Sequence, residues 1–456
     1  MVEEKVTKEE LLEKSKEPAK NALKMHPFYR GKVQVMPRCQ IKSYDDFGIY
    51  YSPGVAAPCE EIKKNPEKVY DYTSKWNYVA VVSDGTRVLG LGDIGPEAGL
   101  PVMEGKALLF KYLGGVDAFP LCIGQDLSAK EIIKFVKNVQ PTFGGINLED
   151  ISKPKCFEIL DTLRSDPEVK IPVWHDDQQG TACVTLAGLI NALKIVGKKR
   201  DEVKIVFNGI GASNFAISRL LGEAGFDLNK AIFVDSKGIL YEGRADLQDP
   251  DYYKYEVAHK SNPQQIRGKV DTALKGADVL ISLSIPGPGV IKKEWIKEMS
   301  DDAIVFACAN PIPEIFPWDA KDAGARIVAT GRSDFSNQVN NSLGFPGIFR
   351  GTLDVRAETI TDEMCIAAAN ALSNLVGKVD GSMDEDHILP TMEYKEVFIN
   401  EAVAVGLKAI EQNIARIKLS EDELYKQASN IINNSQQQAK LLMKEGLIPS
   451  FNDYVA

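Results

Sequence analysis

Short, nearly continuous apolar runs alternate along this chain with longer stretches in which apolar residues recur at helical spacing, and the alternation happens twice. Between about residues 26 and 180 the runs Tyr78-Val-Ala-Val-Val, Ala118-Phe-Pro-Leu-Cys-Ile, Phe143-Gly-Gly-Ile-Asn-Leu and Ile171-Pro-Val-Trp are interleaved with Gly105-Lys-Ala-Leu-Leu-Phe-Lys-Tyr-Leu and Lys130-Glu-Ile-Ile-Lys-Phe-Val. A strand buried on both faces reads as an unbroken apolar run, and such strands separated by helices predict a largely parallel sheet. A second series follows between about 201 and 370: Val203-Lys-Ile-Val-Phe, Ala231-Ile-Phe-Val, Val279-Leu-Ile-Ser-Leu, Ala303-Ile-Val-Phe-Ala and Arg326-Ile-Val-Ala. Its spacing favours a doubly wound sheet. The apolar helix that begins at Thr181 bridges the two series. Residues 1 to about 25 read as an amphipathic helix, with Leu11, Leu12, Ala19 and Leu23 set among charges, suited to cover a neighbouring surface. The stretch after about 370 is mostly helical, as in Glu396-Val-Phe-Ile-Asn-Glu-Ala-Val-Ala-Val-Gly-Leu. The predicted class is α/β, divided into residues 1–180, 181–375 and 376–456.

Length and composition narrow this picture without changing it. At 456 residues the chain exceeds one small core, and a prior of ~150 residues per domain allows two or three units. A net charge of −10 argues against nucleic acid as a partner, because phosphate backbones require clustered Lys and Arg. The seven cysteines are odd in number and scattered, without a Cys-x-x-Cys pair, which suits reduced thiols. No apolar run approaches the ~18 residues of a membrane span, and the N-terminus lacks a signal-peptide pattern. A cytoplasmic protein with no membrane partner is expected.

The segment after Lys204-Ile-Val-Phe-Asn208 is Gly209-Ile210-Gly211-Ala212-Ser213-Asn214, and a helical pattern begins at Phe215. A strand, a glycine turn and a helix in this order form a dinucleotide loop: Gly209 permits the tight turn, and Gly211 lets the backbone approach a pyrophosphate on the helix N-terminus. Asn214 stands where a third glycine is usual, so the helix-to-strand contact is altered there. Asp235 ends the next strand about 20 residues on, where an acid accepts a ribose hydroxyl. That acid favours NAD by repelling a 2′-phosphate, yet Ser236, Lys237 and Arg244 could hold the phosphate if their loop turns toward it. NAD and NADP both remain open.

Two acidic stretches precede this loop, Asn147-Leu148-Glu149-Asp150 and Trp174-His175-Asp176-Asp177, each at the end of a strand-like run. Parallel strands deliver polar residues to their C-terminal edge, so Glu149, Asp150 and Asp177 can converge there. Carboxylate oxygens suit Mg²⁺ or Mn²⁺, whereas the four histidines, His26, His175, His259 and His387, lack zinc-ligand spacing. Acidic loop residues also serve as helix caps or solvated charges, and spacing alone leaves that alternative standing.

Further segments complete a pattern: Tyr50-Tyr51-Ser52-Pro53-Gly54, Ser83-Asp84-Gly85-Thr86-Arg87, Leu100-Pro-Val-Met-Glu104-Gly105-Lys106, Asn310-Pro311 and the stretch from Ala329 to Gly351 containing Asn340-Asn341. With the acidic stretches and the glycine loop, residues from about 26 to 410 resemble the malic enzymes, specifically the shorter prokaryote-type form. The resemblance implies an N-terminal domain that holds malate and metal, a Rossmann-type NAD(P)-binding domain, and a C-terminal helical segment packed on the core or on a dimer partner. It implies Tyr51 as general acid, Lys106 as general base oriented by Asp176, and Glu149, Asp150 and Asp177 as ligands of Mg²⁺ or Mn²⁺. Arg87 would grip a malate carboxylate, and Asn310 and Asn340 would contact substrate and nicotinamide. The cofactor would rest on Gly209, Gly211, Ala212, Ser213, Asn214 and Asp235. The implied reaction is oxidative decarboxylation of (S)-malate to pyruvate and CO₂ with reduction of NAD or NADP, in a homo-oligomer of two subunits or more. Two rivals share these residues: a malolactic-type enzyme that keeps its cofactor, and a nucleotide-binding regulator that has lost catalysis.

Overall fold

The protein, described by a computed structural model over residues 16–88, 90–247, 252–379 and 381–451, contains two separate sheets. The first is built from β1 (Tyr78–Ser83), β2 (Asp117–Cys122), β3 (Gly145–Leu148) and β4 (Val173–His175), in the order β2-β1-β3-β4 with every pair parallel. The second comprises β5 (Ile205–Asn208), β6 (Ile232–Asp235), β7 (Gly238–Ile239), β8 (Val279–Ser282), β9 (Ala303–Ala307) and β10 (Ala325–Thr330). Its order is β10-β9-β8-β5-β6-β7, parallel apart from β7, which turns back against β6. Strand order reverses beside β5, so a crevice opens at the C-terminal ends of β5 and β8, where open α/β sheets bind ligands. The nine short apolar runs each contain a strand; β7 escapes a periodicity argument because it has two residues.

Seven helices matter for the site: α1 (Pro96–Gly114), α2 (Thr181–Val196), α3 (Ala212–Glu223), α4 (Phe345–Asp354), α5 (Asp362–Leu375), α6 (Lys395–Glu411) and α7 (Glu421–Lys444). One apolar cluster runs unbroken from Met103 and Phe110 of α1 through Trp174 and α2 to Phe207, Phe233, Ile281 and Phe306 of the second sheet, and on to Phe349 and Phe398. Adjacent strand residues point to opposite faces. Accordingly Val206, Leu280 and Val305 face a second cluster on the far side of their sheet, and Ala80, Val82, Ile146 and Leu148 face a third. The helical stretch Asp176–Val196 is apolar and long enough to cross a membrane, but 78% of its apolar window is buried within the protein, as befits a core helix.

The C-terminal helices return to the first sheet. Ser435 on α7 donates to the Lys111 carbonyl on α1 at 2.7 Å, and Gly115 lies so close to Ile431 that an added Cβ would sit 2.6 Å from its side chain. Arg350 on α4, fully buried, donates to Asp354 at 3.0 Å and to Asn77 ahead of β1 at 2.6 Å. By contrast, the helices Glu17–Tyr29, Asp46–Tyr50 and Ala56–Lys64 have no buried residue. Leu23 is 81% exposed, and among the described residues the helix Glu17–Tyr29 meets its own chain at its end, where Phe28 packs on Phe451 and Tyr29 donates to the Pro449 carbonyl at 3.2 Å; Leu11 and Leu12 lie outside the described residues.

Candidate active site

The C-terminal edge of the first sheet carries the acids. Glu149 follows β3 directly and Asp150, at a φ of 54°, turns the chain away; Asp177 lies in a wide helical turn, Asp176–Gly180, that joins β4 to α2. One carboxylate oxygen from each of Glu149, Asp150 and Asp177 lies within 4.8 Å of the others. Glu149 and Asp150 are each 3% exposed. Three carboxylates so crowded repel one another, and burial deprives them of water. Burial therefore raises the Glu149 carboxyl well above the usual range, and Asp177, Asp176 and Asp150 add to the rise against the opposing pull of Lys106. An all-oxygen donor set whose excess negative charge lacks water fits a hard divalent cation. Asn147 orients the Glu149 carboxylate at 2.8 Å, and Asp177 accepts from the Asp150 amide at 2.9 Å.

Lys106 projects from α1 into this cluster. Its Nζ lies 2.5 Å from Asp176 Oδ2 and 3.0 Å from Glu149 Oε1, and 4.4 Å from the centre of the Phe345 ring at the start of α4. Burial alone would drive the ammonium toward neutrality. Asp176 and Glu149 outweigh it and hold the lysine above its ordinary range. Asp176 is itself fixed by Trp174 Nε1 at 3.1 Å, and a Cβ added at Gly180 would sit 2.0 Å from its Oδ1. His175 is fully buried with both ring nitrogens unbonded, and burial lowers its pKa; it is 3.7 Å from Asp177. The imidazole is thus neutral and packed beside the cluster.

The remaining expected residues fall in three places. Arg87 is exposed at the rim, and its backbone N–H donates to the Asp150 carbonyl at 3.0 Å, which anchors the rim loop to the acidic turn. Asn310 and Asn340 meet around Gly331: a Cβ there would lie 2.9 Å from the Asn310 amide, and Asn340 donates to the Gly331 carbonyl at 3.5 Å. The Asn310 loop is organised by buried Glu314, which accepts from Ser282, Ser284 and Ala309 at 2.7 to 3.1 Å. Gly90, three residues beyond Arg87, packs against the Asn310 carbonyl, so the two sheets meet at the site. Tyr51 is 74% exposed at the end of the short helix Asp46–Tyr50.

At the second sheet, Gly209 has a φ of 92° and a Cβ there would strike the Leu283 carbonyl at 2.4 Å, so the turn requires glycine. Gly211 faces open space at the N-terminus of α3, next to partly exposed Ala212 and Ser213, and no side chain caps the helix. An uncapped N-terminus beside open space has the geometry that suits a pyrophosphate. Asn214 points the other way: it is buried and donates to the carbonyls of Asn208 and Gly209, tying the first turn of α3 to the end of β5. Asp235 is paired with Arg244 at 2.6 Å and Lys254 at 3.3 Å. Phe345, Trp174, Asn147 and Lys254 were not singled out from the sequence; Trp174 and Asn147 lie inside the quoted motifs, whereas the contact of Phe345 with Lys106 spans the chain and leaves no local signal.

The family model described as malic enzyme, N-terminal domain matches residues 30–164, and that described as malic enzyme, NAD binding domain matches residues 178–410. The bifunctional malic/malolactic enzyme of Bacillus subtilis is 48% identical over 403 residues, covering 88% of this chain and 96% of that one. The NAD-dependent malic enzyme of Geobacillus stearothermophilus is 48% identical over 386 residues, covering 85% and 78%. The crystal structure of Entamoeba histolytica malic enzyme superposes with a TM-score of 0.93 at 48% identity, over 98% of this chain and 93% of that one. Relatives named for NAD and for NADP both occur. With both family models matched in tandem over the two sheets, the chain belongs to the malic enzyme family, the NAD- or NADP-dependent decarboxylating oxidoreductases.

Proposed function

We propose that this protein oxidises (S)-malate and releases CO₂ and pyruvate, in a reaction that depends on a divalent metal. The observation that carries the reading is the Lys106 ammonium held between Asp176 and Glu149 beside the cluster Glu149, Asp150 and Asp177. Mg²⁺ or Mn²⁺ held by those three carboxylates would supply the positive charge that draws electron density from the malate hydroxyl and offsets their hold on the Lys106 proton. Lys106, having first given up its own proton to become the neutral amine, takes the hydroxyl proton as the C2 hydrogen leaves as hydride for the nicotinamide, and Asp176 keeps the amine aimed. Arg87 pairs with a malate carboxylate, Asn310 and Asn340 orient substrate and nicotinamide, and Tyr51 returns a proton to C3 after CO₂ departs. The Gly209–Asn214 turn and the start of α3 seat the pyrophosphate.

The same proposal assigns residues 1–180 to malate and metal, 181–375 to the dinucleotide and 376–456 to packing on the core, in a cytoplasmic homo-oligomer. What supports self-association is the run of exposed apolar residues Val35, Met36, Ile41, Tyr44, Phe47, Ile49, Tyr50 and Tyr51. A surface of that kind marks an interface.

Incubation with malate, Mn²⁺ and either NAD or NADP tests the reading: reduced cofactor should accumulate in step with pyruvate. Lactate without net reduction would instead support the malolactic reading, which the named activity of the Bacillus subtilis relative makes specific. Neither product would support the regulator that has lost catalysis.

A further inference from the structure

A turn that seats a pyrophosphate must present backbone N–H groups to it, and a turn with two glycines in its first three residues has little stiffness of its own. In the Gly209–Asn214 turn the carbonyls are held instead. That of Gly209 accepts from the Asn214 side chain at 2.7 Å, and the next, that of Ile210, accepts from Lys153 Nζ at 3.1 Å. In a planar trans peptide the C=O of one residue and the N–H of the next point to opposite sides of the chain. The Ile210–Gly211 bond is trans, so a carbonyl drawn toward Lys153 turns the Gly211 N–H the opposite way.

Lys153 reaches this turn from the first sheet. It comes three residues after Asp150, beyond the end of β3. The chain between them is fixed: Ile151 is buried in the apolar cluster of that sheet, and the Ser152 N–H donates to Thr86 Oγ1 at 2.9 Å. The Lys153 ammonium also donates to Tyr253 Oη at 2.8 Å and lies 5.4 Å from the centre of the tyrosine ring. Tyr253, on the helix Tyr252–Lys260, is 5% exposed; its ring packs on Phe157 of the helix Lys155–Ser165 and on Phe215 of α3, with centres 5.0 and 5.8 Å away. Ala212, the first residue of α3, packs on the same cluster as Ile151. The head of α3 is therefore gripped by the stretch of chain that follows the acids Glu149 and Asp150.

We infer that Lys153 is a positioning residue for the dinucleotide: it holds the Ile210 carbonyl on one side of the turn so that the Gly211 N–H faces the pyrophosphate on the other. It touches no reacting atom. This role rests on the Gly209–Asn214 turn seating the pyrophosphate and is independent of malate being the substrate.

Titration calorimetry of the full chain, without malate or metal, tests it with two probes: ADP-ribose, which carries the pyrophosphate but no nicotinamide, and adenosine, which carries no phosphate. Lys153→Met keeps the apolar stem and removes the donors. It should bind ADP-ribose about tenfold more weakly, the size of one charge-assisted hydrogen bond, and adenosine as its parent does. Lys153→Arg still has a donor for the carbonyl and should recover most of the ADP-ribose affinity. Tyr253→Phe keeps the ring but removes the oxygen that steadies the ammonium, and should lose part of it. Most of the gap between Lys153→Met and its parent should survive high salt, because an ammonium that holds a carbonyl is not itself the partner of the phosphates. A parent that fails to bind ADP-ribose would overturn the pyrophosphate seat itself. A parent that binds it no better than Lys153→Met does, or a variant that loses adenosine and ADP-ribose alike, would overturn the role of Lys153. A gap that vanishes at high salt would make Lys153 a direct partner of the phosphates and overturn the positioning role.

Discussion

Lys106 Nζ lies 2.5 Å from Asp176 Oδ2, and the same aspartate is packed so tightly that a Cβ at Gly180 would fall 2.0 Å from its other oxygen. The proposed proton-transfer group and its proposed positioning partner thus depend on a glycine on the turn into α2. Gly180→Ala should push the Asp176 carboxylate off its mark and lower kcat by about 10²-fold, the scale of misplaced general acid–base catalysis. Dinucleotide affinity should stay nearly unchanged. Stopped-flow turnover beside cofactor fluorescence titration checks this, and an alanine variant with full kcat would show that the position of Asp176 is immaterial.

Lys106→Ala removes the proposed base. Turnover should fall by at least about 10³-fold while the dinucleotide binds as before, because the Gly209–Asn214 turn lies on the other sheet. Exogenous primary amines should restore part of the lost rate if a proton acceptor is what is missing. An unrescued variant that also binds cofactor poorly would point to collapse of the cluster instead.

Most of this architecture is legible from local pattern. Runs such as Tyr78–Val82 and Ala303–Ala307 are buried on both faces, so their sequence records burial directly. The acidic cluster is legible for a related reason: Glu149 and Asp177 each follow a run that ends at one sheet edge, and parallel strands β3 and β4 are neighbours. Long-range pairings are another matter. Phe345 under Lys106 is 239 residues distant by number (345 − 106), and neither residue carries a mark of the other. Asp235 illustrates a subtler failure, because its position at the end of β6 was readable while its pairing with Arg244 and Lys254 was not. Tyr51 was placed by motif alone, and its 74% exposure follows from a segment with no buried residue on either side.

Metal binding should be visible in stability as well as rate. With Mn²⁺ at about 100 times its Kd the native state gains ~2.7 kcal/mol, enough to raise Tm by a few degrees. Chelation should reverse both effects. Glu149→Gln and Asp177→Asn should lose the Mn²⁺-induced rise; the metal-free Glu149→Gln protein should be no less stable than its parent, since one crowded buried charge is gone. A variant that kept the full Mn²⁺ response would remove its residue from the ligand set.

The exposed N-terminal segment predicts association. Phe47 and Tyr44 are 46% and 89% exposed, with ring centres 6.1 Å apart. Sedimentation should give a mass of two chains or more, and Phe47→Asp should shift it toward one chain. If the variant sediments like its parent, this cluster is not at the contact.

Arg350 offers the sharpest test of how the helical part of the chain supports the site. It is fully buried, bonded to Asp354 at 2.8 and 3.0 Å and to Asn77 at 2.6 Å, and it lies on α4, the helix whose first residue is Phe345 beneath Lys106. Arg350→Met leaves Asp354 buried with Gln427, at 2.8 Å, as its remaining polar contact among the described residues. Breaking one partner of a buried pair costs about 3–5 kcal/mol, because the stranded charge must be desolvated or protonated. Arg350→Met with Asp354→Leu removes both charges and should recover much of that loss. Denaturant unfolding of the two variants separates these outcomes: a single variant as stable as its parent would show that the pair does not clamp α4 to the first sheet.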